Sequence, residues 1–124
     1  MTRVLVVEDD PTLRRVIELV LEAQGYIVDQ AHHGAAALET MAASRPDIVL
    51  ADLKMPLMDG FALLERMRAE PSLQMIPLVL LTGNLDAARG AVGADGVLVK
   101  PFEPAELIAM IAKLTQQDAA TATV

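Results

Sequence analysis

Short apolar runs alternate with stretches of helical period along nearly the whole chain, and four of the runs stop on a polar residue able to do chemistry. Val4-Leu5-Val6-Val7 ends on Glu8-Asp9, Ile48-Val49-Leu50-Ala51 on Asp52, Leu78-Val79-Leu80-Leu81 on Thr82, and Val97-Leu98-Val99 on Lys100. Runs of this length, separated by amphipathic helices, predict parallel strands buried on both faces. Five strands are expected, at Arg3 to Val7, Ile27 to Ala31, Ile48 to Ala51, Leu78 to Leu81 and Val97 to Val99. The fold class is therefore α/β, a doubly wound five-stranded parallel sheet, for which the strand order 2-1-3-4-5 is one of the two common solutions.

The helical stretches carry their own punctuation. Leu13, Val16, Ile17, Val20 and Leu21 form one stripe, with Arg14, Arg15, Glu18 and Glu22 on other faces. Asp10 suits the N-cap, Pro11 the first helical position and Gly25 the stop. A second helix is expected from Gly34 to Ser44, with Leu38 and Met41 inward. A third is capped by Asp59, buries Phe61, Leu64 and Met67, and is over by Pro71. The fourth crossover is short and contains Gly83, Gly90, Gly93 and Gly96, so its helix, about Leu85 to Val92, has barely two turns. A fifth begins near Pro104 and buries Leu107, Ile108, Ile111 and Leu114. Residues 116–124, Ala- and Thr-rich without period, read as a flexible tail or the start of a linker, leaving one domain over residues 1–115.

Composition narrows function. Ten Lys and Arg against seventeen Asp and Glu give a net charge of -7, which repels a polyanionic backbone, so no direct nucleic-acid binding is expected. With no Trp, one Tyr and two Phe, base-stacking platforms are absent and the core is aliphatic. No Cys excludes disulfides and thiolate metal sites. The apolar run before Glu8 is too short for a signal-peptide core or a membrane span, and a cytoplasmic protein is expected.

In an open doubly wound sheet, ligands bind at the carboxyl ends of the strands where strand order reverses, here between the first and third. That places Glu8 and Asp9 beside Asp52. Clustered carboxylates repel, so without a cation at least one takes a raised pKa. A hard divalent ion removes the conflict, and Mg2+ accepts such an oxygen shell together with substrate phosphate. Taken singly, Glu8-Asp9 and Asp52 read as caps, Thr82 as a core hydroxyl and Lys100 as a solvated charge. Together they suit Mg2+ and a phosphoryl group. His32 and His33, with no carboxylate or Cys at ligand spacing, are expected to be solvent-exposed.

The segments VLVVEDD, PDIVLADLKMPLMDG, LVLLTG and VLVKPF resemble the receiver domain of two-component response regulators, in order and spacing from Val4 to about Leu114. The resemblance implies the CheY-like, flavodoxin-like order 2-1-3-4-5 with five helices. It implies that Asp52 accepts a phosphoryl group from a sensor histidine kinase or phosphotransfer protein. Asp9, Asp52 and the Lys54 carbonyl would ligate Mg2+, with Glu8 acting largely through a bound water. Thr82 and Lys100 would each meet a phosphoryl oxygen, Lys100-Pro101 would be cis, and Gly60 would relieve the turn into the third helix. The output would be a switched contact with a downstream effector protein or domain, in a monomer or weak phosphorylation-dependent dimer, and not an enzyme activity beyond self-catalysed phosphorylation and dephosphorylation.

Two positions depart from the family pattern. Val97 stands where Tyr or Phe is usual, and the fourth crossover is about a turn short. Both bear on the usual signalling face and leave room for a non-switching interaction scaffold on the same fold. A Mg2+-dependent phosphohydrolase is disfavoured because Lys54, not a second Asp, stands two residues after Asp52. Lys54 and Asn84 occupy positions that tune water access to an acyl phosphate, and Gly83 leaves the phosphoryl site open.

Overall fold

A computed structural model describes the backbone of residues 1–88 and 93–123 and the side chains as far as Thr115. All five strands form where the apolar runs predict them, each end within one residue: β1 Arg3–Val7, β2 Ile27–Ala31, β3 Ile48–Asp52, β4 Leu78–Thr82 and β5 Gly96–Val99. They make one parallel sheet in the order β2-β1-β3-β4-β5. The helices are α1 Pro11–Ala23, α2 Gly34–Ala43, α3 Gly60–Ala69 and α4 Pro104–Thr123. No helix among the described residues is long and apolar enough to cross a membrane.

Strand side chains alternate between two faces, so each central strand feeds two cores. Leu5, Val7, Val49, Ala51, Leu78 and Leu80 pack on one side with Met41 of α2 and Leu63 and Met67 of α3. Val4, Val6, Ile48, Leu50, Val79 and Leu81 pack on the other with Ile17 and Leu21 of α1 and Leu107 and Ile111 of α4. Val16, part of the apolar stripe of α1, stays half-exposed, as does Leu19.

Three helices start on a side-chain cap, two of them the predicted ones. Asp10 accepts from Thr12 N at 2.9 Å, and Asp59 accepts from Ala62 N at 2.8 Å. For α2 the cap is His33, whose Nδ1 accepts from Ala36 N at 3.0 Å. The expected exposure of the histidine pair therefore holds for His32 alone, while His33 is half-buried and structural.

The fourth crossover departs most from expectation. Of the short helix expected over about Leu85 to Val92, the described part is a 3-10 turn at Leu85–Ala88, and residues 89–92 lie outside the described residues. Asn84 starts the turn, its side chain accepting from Asp86 N at 2.9 Å and its carbonyl from Ala87 N at 3.1 Å. The far end of the crossover is held by Arg68 of α3. Its guanidinium donates to the carbonyls of Gly93, Gln74 and Ile76 and pairs with Asp95 at 2.9 Å, and Asp95 in turn accepts from Leu78 N at 2.8 Å. At the other end of the chain, α4 continues in backbone through Thr123, over most of the segment expected to be a tail; Val124 lies outside the described residues.

Gly60 is needed for a different reason from the one its place in a turn suggests. The left-handed residue of the loop after β3 is Leu57, with φ 70°, spanned by a γ-turn in which Met58 N–H donates to Pro56 O at 2.8 Å. A Cβ on Gly60 would instead lie 2.8 Å from the Asp52 carbonyl oxygen and 3.0 Å from Leu53 Cα. Close approach of α3 to β3 requires the glycine. Gly60→Ala is thus expected to destabilise by about 1–3 kcal/mol, the cost of overpacking against backbone. Gly83→Ala, with nothing within 4 Å of the added carbon, is expected to be neutral within about 0.5 kcal/mol. Urea unfolding of the two variants checks the contrast, and equal losses would remove the packing explanation.

Candidate functional site

Register alone brings the candidate side chains together. Val7 pairs with Ala51, so Glu8 and Asp52 are the next residues along neighbouring strands; Asp52 pairs with Leu81 and Thr82 with Val99, which sets Thr82 and Lys100 one step beyond. Lys100 N donates to Thr82 O at 2.7 Å, and the Lys100-Pro101 peptide is cis. Carboxylate oxygens of Glu8, Asp9 and Asp52 lie within 4.8 Å of one another. The Lys100 ammonium reaches into this group, 2.8 Å from Glu8 Oε1 and 3.1 Å from Asp52 Oδ2.

The site is short of positive charge. Like charges at such separations repel by about 3 kcal/mol per pair at an effective dielectric constant of about 20, and among the described residues one ammonium faces three carboxylates. Glu8 takes the strain because its carboxylate is 1% exposed. Burial, opposed by Lys100 and reinforced by Asp52 and Asp9, pushes its pKa from 4.5 to about 7. Burial of Lys100 lowers its pKa, but Glu8 and Asp52 outweigh it and the net shift is upward. The expectation that one carboxylate of the cluster takes a raised pKa is met by Glu8. The donors are all hard oxygens, with no imidazole or thiol in the cluster, and the charge deficit is one a divalent cation would remove.

Around these groups the backbone is tied down. Glu8 Oε2 accepts from Asp10 N at 3.3 Å, and the Glu8 carbonyl accepts from Arg14 Nη1 at 2.7 Å. Lys54 N–H points at Asp52 Oδ1 at 3.4 Å, while the Lys54 side chain is exposed. Thr82 is buried, and its hydroxyl both donates to Asn84 O and accepts from Asn84 N, each at 3.1 Å. Beside Asp9 and Lys54 a groove of about 540 Å³ opens, lined also by Met55, Pro56, Phe61 and Ala87. Arg14 is the addition to the predicted set, while Asn84, already singled out beside Lys54, proves to hold the Thr82 hydroxyl. Arg14 had a signal in the sequence, a cation in the first turns of a helix against the helix dipole.

The response regulator receiver domain family matches residues 4–112. The chain belongs to that family. Receiver domains are modules of two-component signalling systems, and curated relatives of this chain are transcriptional and DNA-binding response regulators. The transcriptional regulatory protein CseB of Streptomyces coelicolor is 40% identical over 111 residues, 89% of this chain and 47% of that protein. The DNA-binding response regulator MtrA of Mycolicibacterium smegmatis is 36% identical, over 88% of this chain and 48% of its own. The chain thus spans about half the length of the curated relatives it matches. Solved receivers superpose over most of the chain. The chemotaxis response regulator CheY4 of Vibrio cholerae has a TM-score of 0.85 at 32% identity, covering 92% of this chain and 98% of its own. The receiver domain of the sensor histidine kinase PA1611 of Pseudomonas aeruginosa, solved with a magnesium ion coordinated in its active site cleft, has a TM-score of 0.86 at 31% identity, covering 92% and 97%.

The raised pKa of Glu8 in this receiver has a consequence for stability. Between 4.5 and about 7 the folded chain holds a proton on Glu8 that the unfolded chain has lost, so this stabilisation is full below pH 4.5 and fades as pH rises through 7. In buffer with chelator, wild type is expected to lose stability relative to Glu8→Gln as pH goes from 5 to 8. Parallel stability curves for the two proteins would show that Glu8 titrates normally.

Proposed function

We propose that this receiver accepts a phosphoryl group on Asp52 from the phosphohistidine of a sensor histidine kinase or phosphotransfer protein, in a Mg2+-dependent reaction, and passes the change to a downstream effector. The observation that carries the reading is Asp52 itself, a buried carboxylate at the end of a central strand, 3.1 Å from an ammonium and within 4.8 Å of two further carboxylates.

The chemistry follows from the residues. An Asp52 oxygen attacks phosphorus, the phosphorus–nitrogen bond of the phosphohistidine breaks, and the departing imidazole takes up a proton. An in-line transfer through a loose transition state needs positioning and neutralisation more than covalent help. Lys100 supplies a fixed ammonium beside the Asp52 oxygen. Thr82 offers a hydroxyl one residue beyond Leu81, Asp52's partner in the ladder. Glu8, Asp9, Asp52 and the Lys54 carbonyl would hold the Mg2+, which when bound offsets the charge of the phosphoryl oxygens. Hydrolysis of the acyl phosphate by water returns Asp52 and resets the domain. Exposed Gly83 adds no side chain over the site. A cytoplasmic location, no direct nucleic-acid contact by this domain, and a monomer or weak phosphorylation-dependent dimer belong to the same reading.

Val97 and the 3-10 turn favour one second reading, a receiver fold that binds partners without switching. The two differ in what phosphorylation changes.

Incubation with Mg2+ and a small acyl phosphate is expected to add the mass of one phosphoryl group to wild type and none to Asp52→Asn. Lys100→Met is expected to slow the gain roughly 100-fold. An adduct of equal yield on Asp52→Asn would sink the assignment. Amide exchange with and without beryllofluoride separates the readings: changed protection at Leu85–Ala88 and the start of α4 supports the switch, and bound beryllofluoride with unchanged protection supports the scaffold.

A further inference from the structure

We infer that Arg14 is a positioning residue for the metal pocket: by gripping the Glu8 carbonyl it fixes the Glu8-Asp9 peptide and so sets where the Asp9 carboxylate stands. The inference rests on the Mg2+ reading proposed above. Arg14 lies near the start of α1, where a cation opposes the helix dipole and adds nothing to helix stability. A residue that breaks a local rule is compensated elsewhere. Here the compensation is the 2.7 Å bond from Nη1 to the Glu8 carbonyl.

That carbonyl lies just past β1, which ends at Val7, where the last ladder bond runs from Glu8 N to Ala31 O at 3.1 Å. Arg14 takes up the group the sheet no longer holds. The guanidinium is itself fixed by a second arm, Nε donating to Gln30 Oε1 at 3.0 Å, and Gln30 is bonded in turn to Glu18, which pairs with Arg15. A planar fork can bridge the Glu8 carbonyl and Gln30 at once; a lysine at this place is a single point donor. The Glu8 carboxylate is anchored on Lys100 and Asp10 N. With main chain and side chain of Glu8 both held, rotation of the peptide leading to exposed Asp9 is restricted from both sides.

Charge and geometry make opposite forecasts for removing Arg14. A nearby cation repels Mg2+, so loss of charge alone tightens binding, though solvent screening over about 8–10 Å weakens this. Loss of the grip lets Asp9 wander and weakens binding, as breaking an outer-shell contact to a metal ligand typically does by 10–100-fold.

Titration of Mg2+ into Arg14→Met, Arg14→Lys and Gln30→Ala, followed by the amide resonances of Asp9 and Asp10, decides between them. Arg14→Met is expected to bind Mg2+ roughly tenfold more weakly than wild type. Arg14→Lys should recover part of that loss, Gln30→Ala should show a smaller loss of the same sign, and the Asp9 and Asp10 amides should exchange faster in chelator. Unchanged or tighter Mg2+ binding in Arg14→Met overturns the inference, and if that variant does not fold, unchanged binding in Gln30→Ala does. Wild type that binds no Mg2+ would instead overturn the proposed function.

Discussion

Repulsion among three carboxylates at the carboxyl edge of the sheet is the constraint around which this receiver is organised. Glu8 and Asp9 are neighbours in sequence, but nothing local brings Asp52 to them; the parallel register of β1 against β3 does, and that register is set by two apolar cores that accept only one alternation of side chains. The folding energy of the sheet therefore holds an arrangement that the charges oppose. Lys100, just past the end of the edge strand β5, relieves part of the opposition, and a proton on Glu8 relieves more. A fold that keeps a charge deficit in place without a ligand is preorganised for a ligand that cancels it.

The other half of the site is tied to the chain's least regular segment. Thr82 has its hydroxyl engaged with Asn84, and the Asn84 carbonyl also starts the 3-10 turn. In the proposed phosphoryl transfer, turning that hydroxyl toward a phosphoryl oxygen would remove one of two hydrogen bonds at the Asn84 carbonyl. The turn is thus tied to Thr82 through hydrogen bonds, while Val97, packed against the edge of the core, has no aromatic ring to move.

Much of this was legible in the residues because the signals were strong and redundant. Strand positions followed from apolar runs too short and too β-branched to be anything else, and Asp10 and Asp59 announced their helices. What escaped depended on distances that spacing does not encode. Gly60 reads as a turn glycine until the Asp52 carbonyl is seen where its Cβ would lie. His33 reads as a surface histidine, since imidazole is an uncommon cap. Arg14 looks like part of a solvated face because its acceptor is a backbone carbonyl, invisible in any side-chain pattern. The fourth helix was expected to be short, and its described part closes as a 3-10 turn started by Asn84, whose capping bonds spacing alone does not announce.

The Arg68 grip on Gly93 and Asp95 separates two properties that are usually joined, the length of a connection and the alignment of the strand it leads to. With Asp95 bonded to Leu78 at the mouth of β4, β5 begins at a fixed point whatever precedes Gly93. Residues can then be lost from or added to the segment between Asn84 and Gly93 without sliding Lys100 along its strand. A receiver built this way can vary the surface it shows to partners while its chemistry stays in register.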